Sequence, residues 1–264
     1  MGAGRAGHAL AGALGASGIE VDGPYGRSAG GPPASIAEAG VVLVAVGDRD
    51  LPTALGQLRG FPLAAGAVVL HTSGSSDPAG ALDALRAKGH PAGTFHPLVP
   101  LTGVIRELTG VWIGVDGDAE AVAAGRGMAE VLGARVLPIP PGAKARYHTA
   151  AVLASNFPVV LAELAMRQMR AAGVGAEEAR GAVMGLMAAA VANLQSLDPG
   201  RALTGPVARG DAATIARHLA VLESDPEALA VYMAMTQAAL TTVSGIDPAR
   251  LAEIRAVLTC DAEM

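Results

Sequence analysis

The sequence predicts an α/β chain, with a doubly wound and mainly parallel sheet over residues 1–141 and an all-helical domain over 142–264. Three observations predict it. Short apolar runs alternate with amphipathic stretches through the first half, as buried parallel strands and their crossover helices require. A glycine-rich opening leads straight into the first amphipathic stretch. After Pro138, Pro140, Pro141 and Gly142 the alternation stops, and every later periodic segment has helical spacing.

The opening reads G-x-G-x-x-G and continues into Ala9, Leu10, Ala13 and Leu14 at helical spacing. Gly2, Ala3, Gly4, Arg5, Ala6 and Gly7 thus fall at a helix N-terminus, where unpaired N–H groups and the helix dipole suit a pyrophosphate. This fingerprint ordinarily follows a buried strand. The sequence therefore predicts that the first strand is truncated, that its absence leaves a gap between its neighbours, and that the reading frame extends upstream of Met1.

Residues 19–21 read as a short strand. Arg27 stands about 20 residues beyond the glycines with Ser28 beside it, where an Arg accommodates the 2′-phosphate of NADP and an acidic residue would bind the ribose of NAD. An ordinary surface pair is the alternative, and Asp22 is the competing ribose ligand. Residues 41–46 and 67–71 are apolar runs ending in Gly47-Asp48 and Thr72-Ser73-Gly74. Small and polar residues at the carboxyl edge of a parallel sheet line ligand sites, so these residues are placed along the ribose and nicotinamide. Helices are expected around 36–39, from Asp50 onward, over 82–88 and over 120–132. Strands are expected at 93–98, 111–115 and 135–139.

The second half opens on Lys144. At about 100° per residue Lys144, His148 and Ser155 share one helical stripe, with Asn156 about a third of a turn away. An amine, an imidazole and a hydroxyl in one stripe suit proton transfer to or from a carbonyl or imine, whereas a solvated polar face is the plainer reading. Of 19 basic residues only Lys88 and Lys144 are lysines, so an amine at Lys144 stands out from a chain that otherwise uses arginine. Residues 177–197 are apolar around nearly the whole circumference and predict a helix buried in the domain core or in a dimer interface. Thr204 and Arg209 lie in a loop, where Arg209 either clamps a substrate carboxylate or pairs with Asp211. His96 is placed beside substrate, although His71 and His96 also read as satisfied structural histidines.

Composition excludes several classes. Hydrophobic residues make up 51% and aromatics 3%, so Ala, Val and Leu must build the core. A net charge of -5 without a basic cluster argues against nucleic acid. The single cysteine, Cys260, excludes an intramolecular disulfide and fits a reducing cytoplasm. The start lacks the features of a signal peptide, and no run reaches the ~18 uninterrupted apolar residues of a membrane span. The histidines are dispersed, so no metal site is expected.

Several of these segments together resemble one family: the opening glycines, His71-Thr72-Ser73-Gly74, Phe95-His96-Pro97-Leu98, residues 144–156, and Thr204-Gly205-Pro206 with Arg209-Gly210-Asp211. They resemble the Rossmann-like oxidoreductases whose C-terminal helical region is catalogued as domain of unknown function 2520. That family is similar in plan to ketopantoate reductase, pyrroline-5-carboxylate reductase and the 6-phosphogluconate and 3-hydroxyisobutyrate dehydrogenases. The resemblance implies a nucleotide-binding domain, a helical domain that commonly dimerises, and a reductase scaffold, and it leaves the substrate open. With Arg27 and Ser28, the first expectation is an NADP(H)-dependent oxidoreductase of a small keto acid or imine. Lys144 and His148 would then be catalytic, with His96, Ser155, Asn156, Thr204 and Arg209 around the substrate. In the hydroxyacid branch an Asn follows the catalytic Lys by four residues; His148 stands there instead. A dinucleotide-binding sensor without turnover, and transfer between NADP and a deazaflavin, are the alternatives left open.

Overall fold

The computed structural model describes residues 1–26, 34–76, 78–101, 107–243 and 245–260. Two compact units divide at Pro158: residues 1–158 and 159–264.

The first unit is built on five strands, β1 (Val41–Val44), β2 (Val68–His71), β3 (Ala92–Pro97), β4 (Trp112–Gly117) and β5 (Arg135–Pro138), which lie side by side in chain order. All neighbouring pairs are parallel except β3 with β4. The apolar runs behave as expected, and all four residues of β2 are buried because helices cover both faces. On one face α1 (Arg5–Ala16) and α4 (Ala119–Val131) bring Leu10, Leu14 and Ala129 against Leu70, Phe95 and Ile113. On the other, α2 (Leu51–Leu58) and α3 (Ala79–Arg86) set Leu51, Leu55, Leu82 and Leu85 against Val42, Val44 and Val69. A 3-10 helix, Ala34–Glu38, precedes β1.

One strand expected from sequence is not formed. Residues 19–26 carry no regular structure, because a strand exists only through a paired neighbour and here the neighbouring position is a cavity of about 960 Å³. Ile19, Val21, Val41 and Leu43 line it, above Leu14 and Met128. Among the described residues only its mouth is bridged: the Met1 amine donates to the Leu43 carbonyl, Ala45 N–H to the Met1 carbonyl, and Gly2 N–H to the Tyr25 carbonyl. Burial lowers the pKa of that amine. The gap expected beside β1 is therefore present.

Helix α5 (Lys144–Ala171) follows β5. The division between units falls inside it rather than at residue 141, because its first turns pack on the sheet. By length and composition α5 is the one helix among the described residues able to cross a membrane, although Asn156, Pro158 and Glu163 interrupt it.

The second unit continues with α6 (Ala176–Ser196), α7 (Pro199–Ala202), α8 (Pro206–Arg209), α9 (Ala212–Leu222), α10 (Pro226–Thr242) and α11 (Pro248–Cys260). Val207, Ile215, Leu219, Leu240, Ile254 and Leu258 form its core. Leu164 packs with Leu222 and Ala228, beside the Arg167–Asp225 ion pair at 3.0 Å. Helix α6 is not buried in that core: only Ala179 and Val183 are covered, while Leu186 is 65% exposed and Val191 57%.

Candidate active site

The glycine loop divides its roles by space. Gly2 has φ +103°, and a Cβ there would run into the Ala45 carbonyl; a Cβ on Gly7 would run into the Gly2 carbonyl. These two glycines fold the chain tightly against the end of β1. Gly4 is different: a Cβ there would meet nothing within 4 Å. The loop thus holds an open place in front of the first turn of α1, whose N–H groups have no partner within the helix. Ala3, Gly4 and Arg5 are exposed around it, and Ala6 is half-buried. This is the division of labour a pyrophosphate requires, with the second glycine leaving room for the diester.

The carboxyl ends of β1 and β2 supply Gly47-Asp48 and Thr72-Ser73-Gly74, as expected. The Ser75 hydroxyl donates to the Asp48 carboxylate. Burial would raise the Asp48 pKa, but hydrogen bonds from Ser73 and Ser75, with His148 and His71 nearby, outweigh it and hold the carboxyl below its usual range. Ser73 is 5% exposed and its Oγ accepts from Ser76 N–H, fixing the turn. His96, near the end of β3, lies against Gly74 so closely that a Cβ on Gly74 would overlap the imidazole.

Helix α5 supplies Lys144, Tyr147 and His148, which share a face by their i, i+3, i+4 spacing. From sequence Tyr147 belongs to the 144–156 segment of the resemblance but carries no assigned role. Its hydroxyl lies 2.7 Å from His96 Nδ1, and the two rings meet edge-on with centroids 5.6 Å apart. Burial, helped by the Asp116 charge, raises the Tyr147 pKa. Burial, with His148 and Lys144 adding to it against Asp48, lowers His96 to about 4. At neutral pH the phenol therefore donates to Nδ1, and His96 carries its proton on Nε2. The His148 ring stands 6.1 Å from that of His96.

Lys144 lies deeper. It is 7% exposed, and its Nζ donates to Thr94 Oγ1 at 2.6 Å and pairs with Asp116 at 3.3 Å. His71, Thr94 and Asp116 are successive partners across β2, β3 and β4, so the ammonium caps a polar row through the sheet. Thr94 accepts from Lys144, which leaves its own proton for His71 Nε2 at 3.3 Å. His71 is wholly buried, and its Nδ1 has no partner among the described residues. Burial, then the Lys144 charge, lower its pKa to about 4. Thr94 and Asp116 left no sequence signal beyond single polar residues in apolar strands.

Of the remaining expected residues, Ser155 and Asn156 lie further along α5, Thr204 and Arg209 belong to the second unit, and Arg27 and Ser28 lie outside the described residues. Ser155 bonds back to the Ala151 carbonyl and to Asn156 Oδ1, so the expected stripe narrows to its first two members. In the second unit Thr204 and Arg209 are exposed. Gly210, with φ +68°, ends α8, and Asp211 caps α9 by accepting from Thr214 N–H at 3.0 Å. Much of the Gly-Pro-x-x-Arg-Gly-Asp pattern is thus helix punctuation.

Comparison with known proteins places this geometry. A family model described as "Domain of unknown function (DUF2520)" matches residues 111–239. A search of curated proteins finds no significant match. Among solved structures, a proposed NADP oxidoreductase from Bacteroides fragilis is 20% identical with a TM-score of 0.69, over 88% of this chain and 93% of that one. The pyrroline carboxylate reductase of Plasmodium falciparum, solved with NADP bound, is 13% identical with a TM-score of 0.62, over 97% and 96%. An imine reductase from Streptomyces aurantiacus is 20% identical with a TM-score of 0.57, over 99% and 92%. The chain has the fold of the Rossmann-like oxidoreductases, and its residues 111–239 match the DUF2520 family.

Proposed function

We propose that this chain is an NADP(H)-dependent oxidoreductase that reduces a small keto acid or imine in the cytoplasm. The observation that carries the reading is the open space at Gly4 between two glycines that admit no side chain. Gly2, Gly4 and Gly7, with the first turn of α1, would hold the pyrophosphate. Gly47 and Thr72 to Gly74 would border the ribose and nicotinamide, and Arg27 with Ser28 would receive the 2′-phosphate. A reduced nicotinamide supplies hydride to an electrophilic carbon. Similar folds solved as a pyrroline carboxylate reductase with NADP and as imine reductases support the reaction class.

The chain's own groups then have separate tasks. His96, neutral and fixed by Tyr147, presents Nε2–H as a hydrogen-bond donor. His148 stands beside it, half-buried, with its ring 6.1 Å from that of His96. Lys144, expected from sequence to be catalytic, donates to Thr94 and pairs with Asp116, so its task is to hold the row beneath the site.

Titration with NADPH and NADH, followed by nicotinamide fluorescence, tests the reading. Tight NADPH and weak NADH binding is expected. Gly4→Ala should weaken NADPH binding about tenfold or more while leaving Tm nearly unchanged, since the added methyl meets only the ligand. Gly7→Ala should instead lower Tm. NADPH binding that survives Gly4→Ala unchanged would sink the assignment.

A further inference from the structure

We propose that the bond reduced at this site is a protonated carbon–nitrogen double bond, an iminium, and that the Asp48 carboxylate meets its charge. This rests on the reading as a nicotinamide-dependent reductase and decides between its two substrate classes.

The argument is a balance of charge at the sheet edge. Asp48, exposed in the turn that follows β1, has its carboxylate cradled by hydroxyls, from Ser73 and Ser75, rather than by a cation. The groups electrostatically coupled to it are His148, His71 and His96, and burial holds His71 and His96 neutral. The nearby buried cation, Lys144, is already committed to Asp116 at 3.3 Å. Arg49, the next residue in the chain, is exposed and makes no ion pair with Asp48 among the described residues. The edge thus keeps one negative charge that hydroxyl groups orient and do not neutralise.

Two reductions make opposite demands on such a place. Hydride addition to a keto carbon moves the C=O π pair onto oxygen and leaves an alkoxide, which needs a cation or an acid in the same step. Of the donors near Asp48, the Tyr147 hydroxyl is turned to His96 and His96 is neutral, which makes both poor acids, and His148 is coupled to Asp48 itself. Hydride addition to an iminium carbon moves the C=N π pair onto nitrogen and discharges the cation. The products are a neutral amine and the oxidised dinucleotide, and no proton moves in that step. A fixed carboxylate beside the nitrogen also favours the protonated imine before reaction, which makes its carbon electrophilic.

The NADPH titration comes first, because loss of dinucleotide binding would remove the reductase reading and this inference together. Protein saturated with NADP⁺ is then titrated calorimetrically with pyrrolidine, a cation at neutral pH, and with lactate, an anion. Pyrrolidine should bind about tenfold more tightly than lactate or better, and Asp48→Asn should abolish that preference with Tm retained. Asp48→Ser replaces it if the Asn variant does not fold. In parallel, 2-methyl-1-pyrroline should oxidise NADPH faster than pyruvate does. With NADPH bound, tighter lactate binding, no binding of either molecule, a preference that survives both substitutions, or faster turnover of pyruvate would each overturn the iminium assignment and leave the reductase reading standing.

Discussion

Lys144 shows how a residue can be chemically conspicuous and structurally committed. Its ammonium is nearly shut from solvent, so its worth is set by what partners it. Removing the partner leaves a buried charge, whereas removing the charge leaves a carboxylate whose side chain is 25% exposed and can be hydrated. Asp116→Asn should therefore destabilise by about 2–4 kcal/mol and Lys144→Met by clearly less, an asymmetry that urea unfolding would read. Two imidazoles with depressed pKa values give a pH dependence. His71 and His96 have folded pKa values of about 4, below the unfolded value of 6.5, so the unfolded chain binds more protons between those limits. Stability should be complete above pH 6.5 and fall as pH drops towards 4, by a few kcal/mol in all. Unfolding midpoints measured across that range should decline less steeply in His71→Leu.

Helix α5 and strand β4 together decide what the site is made of. Because β4 runs against β3, its first residues reach the ligand edge, and Gly114 lies directly opposite His96. A Cβ there would strike the Tyr147 hydroxyl, so β4 contributes an opening for the phenol rather than a side chain. Gly114→Ala should cost roughly 1–3 kcal/mol by overpacking and break the Tyr147–His96 bond. Adding Tyr147→Phe should restore part of the loss, a coupling that a double-mutant cycle would measure. Sequence reasoning found the helix, Lys144 and His148 by periodicity, and found Asp48, Thr72, Ser73, Gly74 and His96 at the ends of apolar runs. It gave no role to Tyr147, Thr94 and Asp116, because their partners come from strand register and from a void opposite a glycine, neither of which has a local period. It overextended the stripe to Ser155, whose hydroxyl is satisfied within its own helix. It also read residues 19–21 as a strand from their composition, although pairing, not composition, makes one.

At the scale of the whole molecule, the helical second unit carries the least covered surface. Leu186, Val191 and Leu194 on α6 are all more than half exposed, an apolar strip of the kind that a second copy of the chain would cover. Sedimentation should show a dimer, and Leu186→Glu with Val191→Glu should yield monomers. The alternation of strands and helices made the doubly wound half legible from sequence, whereas the partner of an all-round apolar helix was not, since core and interface have the same composition. The cavity beside β1 has its own consequence. One border of the sheet is braced only at its mouth, while β2 and β3 are clamped on both sides, so cohesion is graded across the first unit from the β1 border towards the centre. Amides of β1 should exchange with deuterium well before those of β2, and thermal breathing of this half should begin there, beneath the glycine turn, so that the grip on a dinucleotide loosens before the sheet itself melts.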